Sequence, residues 1–456
     1  MKTASFISKL FMTVFLSATL LAPNLSAQSV WSLEKCIEYA LENNIQVKQA
    51  GLAIDFNHNL LERSKNERLP NFNAQLNNDY NFGRSLTFQN TFENTNSVSV
   101  GAGLGGNVVV WNGSVMQNNV MQRELDLRAS TYDLQKVKDD IALAVAAHYL
   151  EILFAQELEK IDESQIEITI QQLDRVRTLV EAGGLPIGAT LETEAQKARE
   201  EYQLVNSRNR VRLAYLNLFQ LLELPPDKTF KVEAPDYELV EILGQSLDAS
   251  MVFDRARQNR PEIQASLLRV QSAQKQVEIA RAGAYPRITL GANYYNNFSD
   301  NFTEAIGGDP LNRQVIPFFT QLKNNQRYGV GINVSIPIFN GFQTRTNVSN
   351  ARIQVLENEY RLQSALNSLQ KDIEQAYTNA ISARQRYIAS QKAVDAGQEA
   401  FRYIEARHNN GLATTVEFNQ VKNDLAAAQS QQLQAKFDFI FRSKILDFYN
   451  GIPISL

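Results

Sequence analysis

Catalysis and metal binding need particular side chains at workable spacings, and this chain offers few of them. Its 456 residues hold three histidines, His58, His148 and His408, and one cysteine, Cys36. The histidines are far apart, in segments that read as helix. They assemble neither a metal cage nor a Cys/His or Ser/His/Asp nucleophile. Cys36 lies among Leu33, Ile37, Ala40 and Leu41 on one helical face, the setting of a buried thiol rather than a reactive one. Gly101-Ala102-Gly103-Leu104-Gly105-Gly106 has the G-x-G-x-x-G spelling of a dinucleotide loop but runs into Val108-Val109-Val110. A pyrophosphate site needs a helix N-terminus there, so these glycines are read as strand glycines that bend or thin a wall. No enzyme activity, cofactor or metal is expected.

The elements are more informative than the reactive groups. Two stretches open on Trp111-Asn112-Gly113 and Phe339-Asn340-Gly341 and close on Gly183-Gly184-Leu185-Pro186 and Gly411-Leu412-Ala413-Thr414. Their lengths agree, 183 − 113 = 70 and 411 − 341 = 70, and neither contains a proline. Leu134, Val137, Ile141, Val145, Tyr149 and Ile152 recur at helical spacing in the first. A helix of that length spans roughly 100 Å and must pack lengthwise on others. The programme around each stretch also repeats. Pro286 answers Pro70 at a shift of 216 and Asn340-Gly341 answers Asn112-Gly113 at a shift of 228. The extra 12 residues (228 − 216) fall in a loop, where insertions cost least. Two tandem structural repeats are expected, 28–247 and 248–456. The first has strands at about 71–82 and 98–111, a long helix at about 113–182 and a return helix at about 188–224. The second has strands at about 286–298 and 327–339, a long helix at about 341–410 and a return helix at about 415–449. Residues 227–247 read as a linker.

Residues 1–27 read as a cleavable signal peptide: Lys2 and Lys9, an apolar run from Leu10 to Ala22, then Leu25-Ser26-Ala27. Beyond it no run of 18 apolar residues is found, so an exported chain that enters a membrane is expected to do so as a closed β-barrel. The strands alternate. Phe72, Ala74, Leu76 and Tyr80 face one way and Asn73, Gln75, Asn77 and Asp79 the other; Val330, Ile332 and Val334 oppose Gly329, Gly331 and Asn333. One face suits lipid, and the other, mostly uncharged and small, suits a wet lumen. Tyr80, Phe82, Trp111, Phe298, Tyr328 and Phe339 at the strand ends are expected at the membrane interfaces. Four strands cannot close alone in lipid, so chains must associate. A net charge of −4 gives no basic field for nucleic acid.

Leu69-Pro70, Val108-Val109-Val110-Trp111-Asn112-Gly113, Tyr285-Pro286-Arg287-Ile288, Ser335-Ile336-Pro337-Ile338-Phe339-Asn340-Gly341 and Asn410-Gly411-Leu412, in duplicate order, resemble the TolC-type outer-membrane efflux and secretion channels. The resemblance implies a mainly α fold with a membrane β-barrel contribution: a homotrimer with a 12-stranded barrel in the outer membrane of a Gram-negative bacterium, and an α-helical barrel in the periplasm. It implies a passive exit duct, served by a periplasmic adaptor (membrane fusion) protein and an inner-membrane transporter. Gly183, Gly184, Leu185, Pro186 and Ile187, with Gly411, Leu412, Ala413 and Thr414, are then the helical tips expected to touch the adaptor. The family's Phe-Asp-Gly reads Trp-Asn-Gly and Phe-Asn-Gly here, and the first tip carries an extra Gly and a Pro. Asp395 and Glu399, four apart on one helical face, with Arg402 and Arg407, are the candidate periplasmic gate. An acidic ring there would favour cations, and the arginines would lock it by pairing across helices. Two other readings stand beside efflux: the outer-membrane component of type I protein secretion, and a secreted soluble coiled-coil interaction protein.

Overall fold

The computed structural model describes residues 29–86, 90–94, 96–225, 230–234, 248–309 and 312–454. The expected signal peptide and most of the expected linker lie outside the described residues. In chain order the first half has β1 (Ser29–Trp31), α1 (Leu33–Asn43), α2 (Ile45–Asn66), β2 (Asn71–Asn81), β3 (Arg84–Leu86), β4 (Phe92–Asn94), β5 (Ser97–Trp111), α3 (Val115–Glu181), α4 (Gly188–Leu221) and β6 (Phe230–Val232). The second has α5 (Ala249–Asn259), α6 (Pro261–Arg281), β7 (Arg287–Ser299), β8 (Thr303–Ala305), β9 (Arg313–Val315), α7 (Phe318–Asn324), β10 (Arg327–Ser335), α8 (Gln343–Asn409) and α9 (Thr415–Tyr449). Two compact units form, and each draws on both halves of the sequence. One takes Met1–Val47, Lys138–Val252 and Ile373–Leu456; the other takes Lys48–Val137 and Phe253–Asp372.

The second unit holds a four-stranded antiparallel sheet of order β10-β7-β5-β2, which leaves one open edge on β10 and one on β2. The register matches like rows across most of the sheet, with Asn78 and Asn296 on the apolar side and Tyr295 on the other as exceptions. Leu104 pairs with Ala74 and Tyr294, and Val330 with Ala292, on the apolar side. On the other side Asn77 pairs with Gly101, Gln75 with Gly103 and Asn293 with Gly329. These are close seats. A Cβ at Gly329 would stand 2.6 Å from the Asn293 amide oxygen and one at Gly103 3.2 Å from Gln75; at Gly101 it would collide with Asn77. The amides therefore lie flat on the neighbouring strand.

Each long helix begins two residues later than the sequence pattern suggests. Gly113 and Ser114 (φ +67° and +68°), and Gly341 and Phe342 (φ +61° and +63°), form matching left-handed turns. In each, the amide after the turn bonds back to the asparagine carbonyl, Val115 to Asn112 at 3.4 Å and Gln343 to Asn340 at 3.2 Å. Gly113 is doubly required, because a Cβ there would sit 2.9 Å from Tyr285. The last strand ends at Ser335, short of the expected 339. Pro337 has no N–H for a ladder, so Phe339 lies in a loop, its ring 5.5 Å from that of Phe342.

In the first unit β1 pairs in parallel with β6, a strand inside the stretch read as linker. Trp31 stacks on Phe230 at 4.5 Å, and the Tyr149 hydroxyl lies 3.0 Å from the Trp31 carbonyl and 2.7 Å from that of Glu233. Tyr149 is buried with Ile141, Val145, Ile152 and Leu153 of α3. This explains a correction: α3 does contain a stretch long and apolar enough to cross a membrane by length and composition. Of that stretch 44% is buried within the chain. Cys36 is fully buried and its thiol is pushed up to about 12 by desolvation.

Candidate functional site

The two turns that reverse the long helices lie in the first unit and are built alike. At the first, Gly183 (φ +75°) donates to the Val180 carbonyl at 3.0 Å and Gly184 to the Leu179 carbonyl at 2.8 Å. At the second, Gly411 (φ +72°) donates to His408 at 3.1 Å and Leu412 to Arg407 at 2.8 Å. This paired bonding, closed by a left-handed glycine, satisfies carbonyls that a helix end leaves orphaned. The return helix α9 is then capped from its own side. The Thr414 hydroxyl accepts from the Glu417 amide at 3.2 Å, and the Glu417 carboxylate accepts from the Thr414 amide at 2.7 Å. The amide bond, and next the Thr414 hydroxyl 3.0 Å from the same carboxylate, hold the Glu417 carboxyl below the usual carboxylate range.

The turns present apolar side chains to solvent: Ile187 is 70% exposed and Leu412 67%. Gly183, Gly184 and Pro186 are exposed, as are Gly411 and Thr414; Leu185 and Ala413 are half-buried. A charged-to-neutral polar contact joins the hairpins. Arg175 donates to the Asn409 carbonyl at 3.1 Å and to its side-chain oxygen. Arg175 and burial together hold the nearby His408 imidazole below its ordinary value, burial contributing more.

Within one chain the candidate gate residues lie exposed or pair locally. Asp395 is exposed, and Arg402 pairs with Glu399 on its own helix at 2.8 Å. Arg407 donates to the Leu412 carbonyl at 2.8 Å and lies over the Tyr403 ring at 5.9 Å. Within the chain both arginines thus serve their own hairpin instead of pairing across helices. The reason is spacing: three- and four-residue neighbours on a helix meet before distant ones do.

The aromatic residues predicted at the strand ends are mostly exposed there. Tyr80 lies near the end of β2 with Phe82 just beyond it, Trp111 ends β5, and Tyr328 opens β10. Phe298 is half-buried under Phe318 of α7, ring centres 5.0 Å apart.

Sequence reasoning missed a buried charge. Lys422 of α9 is 1% exposed, and its ammonium donates to the Gln165 carbonyl at 2.9 Å, to Glu200 at 2.8 Å and to the Thr169 hydroxyl. Burial draws its pKa below the ordinary lysine value, against the opposing pull of Glu200. A signal was available, since Lys422 sits between Phe418 and Leu425, which are themselves buried.

Comparison with known proteins agrees with this architecture. The outer membrane efflux protein family matches residues 36–223 and again residues 252–440. The outer membrane efflux protein BepC of Brucella suis is 22% identical over 435 residues, covering 95% of this chain and 88% of that protein. The outer membrane protein TolC of Vibrio cholerae is 22% identical over 444 residues, covering 95% of this chain and 93% of that protein. The solved CmeC outer membrane channel of Campylobacter jejuni shares the fold with a TM-score of 0.74 at 16% identity, over 92% of this chain and 86% of that one. Matched twice in tandem along most of its length, with long helices feeding a half-apolar sheet, the chain belongs to the outer membrane efflux protein family and is a TolC-type channel of the outer membrane.

Proposed function

We propose that the chain works as the passive exit duct of a tripartite efflux system, conducting small molecules from periplasm to outside while a partner supplies the energy. The observation that carries this reading is the sheet of order β10-β7-β5-β2, mainly apolar on one face, mainly amide and glycine on the other, and open at both edges. Open edges are untenable in lipid, where every backbone N–H and C=O needs a partner. Three chains joined edge to edge, β10 on β2 of the next, give a closed barrel of 12 strands with the amide face inward, a size with room for a channel. The two tandem halves act as structural repeats that each supply one strand pair and one helical hairpin. The turns at Gly183–Ile187 and Gly411–Thr414 are the surface offered to a periplasmic adaptor, and Ile187 and Leu412 supply the apolar contact.

The test is conductance. Detergent-extracted protein should insert into planar bilayers as discrete channels and run as a trimer; single chains dispersed in plain buffer would refute the reading. Deletion of the gene should raise drug susceptibility. A strain with unchanged susceptibility that no longer releases one protein into its medium would move the cargo from small molecules to polypeptide, the secretion reading.

A further inference from the structure

Apolar packing does not fix how far α4 slides along its neighbours near the turns. Over its first half, α4 buries Thr193 and Gln196 and no large apolar side chain. The contacts that do hold it there are polar. Lys422 of α9 reaches Glu200 of α4 at 2.8 Å and, on α3, the Gln165 carbonyl at 2.9 Å and the Thr169 hydroxyl. Thr169 in turn donates to Glu200, and Gln196 donates to Glu200 at 2.7 Å and to Asn423 at 3.2 Å. Gln196 stands eight residues inside α4 (196 − 188 = 8) and Asn423 eight inside α9 (423 − 415 = 8). Both lie about 12 Å from the start of their helix. The two return helices therefore start level.

We propose that Lys422, Glu200 and Thr169 are positioning residues that pin the axial register of α3, α4 and α9, so that the two turns end on one plane. A buried ion pair is a poor source of stability, because desolvation offsets the attraction, yet a buried polar group sets register well. A slip by one helical turn moves one tip back by about 5.4 Å and leaves Lys422 buried without its acceptors. Apolar side chains would tolerate the same slip.

The readouts are the melting temperature, efflux, and the intrachain distance between nitroxides on Ile187→Cys and Leu412→Cys in magnetically diluted protein. Replacing the whole pin, Lys422→Met with Glu200→Leu and Thr169→Val, is expected to melt no lower than the parent. It should broaden or shift the distance distribution and lower efflux about tenfold. Lys422→Met alone should shift the distance too, and Lys422→Glu with Glu200→Lys should restore it; this pair decides the matter if the triple variant does not fold. A single distance at the parental value in either Lys422→Met background overturns the pin. The transport arm rests on the docking reading of the turns: a shifted distance with full efflux keeps the pin and sinks the docking, whereas lost efflux at an unchanged distance sinks the pin.

Discussion

At the scale of the residue, left-handed backbone decides most about the turns. Gly411 and Gly183 close their helices with positive φ, and Glu223 (φ +53°) closes α4 by the same pair of bonds without a glycine. A side chain in that conformation costs about 1–2 kcal/mol. Gly411→Ala should therefore lower stability by about that amount, whereas Glu223→Gly should raise it by up to about 1 kcal/mol, the extra chain entropy of glycine offsetting part of the relief. Denaturant unfolding in detergent checks the opposite signs. Glu417 adds a pH dependence. Its carboxyl is held below an ordinary value near 4.5, first by the Thr414 amide and then by the Thr414 hydroxyl. A depressed carboxylate stabilises above its unfolded pKa and loses that contribution as pH falls through the folded one. The first turn of α9 should stay protected from hydrogen exchange at neutral pH and open as pH drops below about 4.5. Thr414→Ala, which keeps the amide and loses the hydroxyl, should weaken that dependence, and Glu417→Gln should abolish it.

At the scale of the element, the sequence made the long helices and the two-faced strands legible, because periodicity survives over many residues. The register of β5 on β7, with its irregularity between Val109 and Trp111, was not legible, since only partners set it. Nor was β6. Its three residues carry no period, and their reason for being extended is β1, about 200 positions away (230 − 29 = 201). The candidate site was legible as a place and not as a network. Glycine and proline mark where helices reverse, but Lys422 and Glu200 meet only through folding, 222 residues apart (422 − 200 = 222). The exposed ends of the hairpins yield a sharper expectation. Ile187→Glu with Leu412→Glu adds charge where two apolar side chains stand 70% and 67% exposed. It should leave melting and oligomer mass unchanged while drug export drops at least to the level of the deletion strain. Preserved export would mean that the adaptor grips another surface.

At the scale of the whole molecule, family membership places the chain in the outer membrane and so displaces the soluble coiled-coil reading. The sheet edges at β10 and β2 are the ones the proposed trimer joins. Unheated protein should migrate at three times the chain mass, and heating should yield single chains that no longer conduct, because one four-stranded sheet leaves two ladders of unpaired backbone. Nothing in this requires a catalytic group. The family and its solved relatives are channels, and the work of moving cargo falls to whatever loads the duct.

The amides seated on Gly101, Gly103 and Gly329 bear on throughput. A corridor stays wide only while its fittings hug the plaster. Three chains carrying these recesses would present a carpet of carboxamides with almost no pile, so along these rows solutes brush past dipoles, with the fixed charges of that face at Asp79, Arg287 and Arg327. Gly329→Ala and Gly101→Ala would prop those fittings upright, and the same hole would hiss at a lower current.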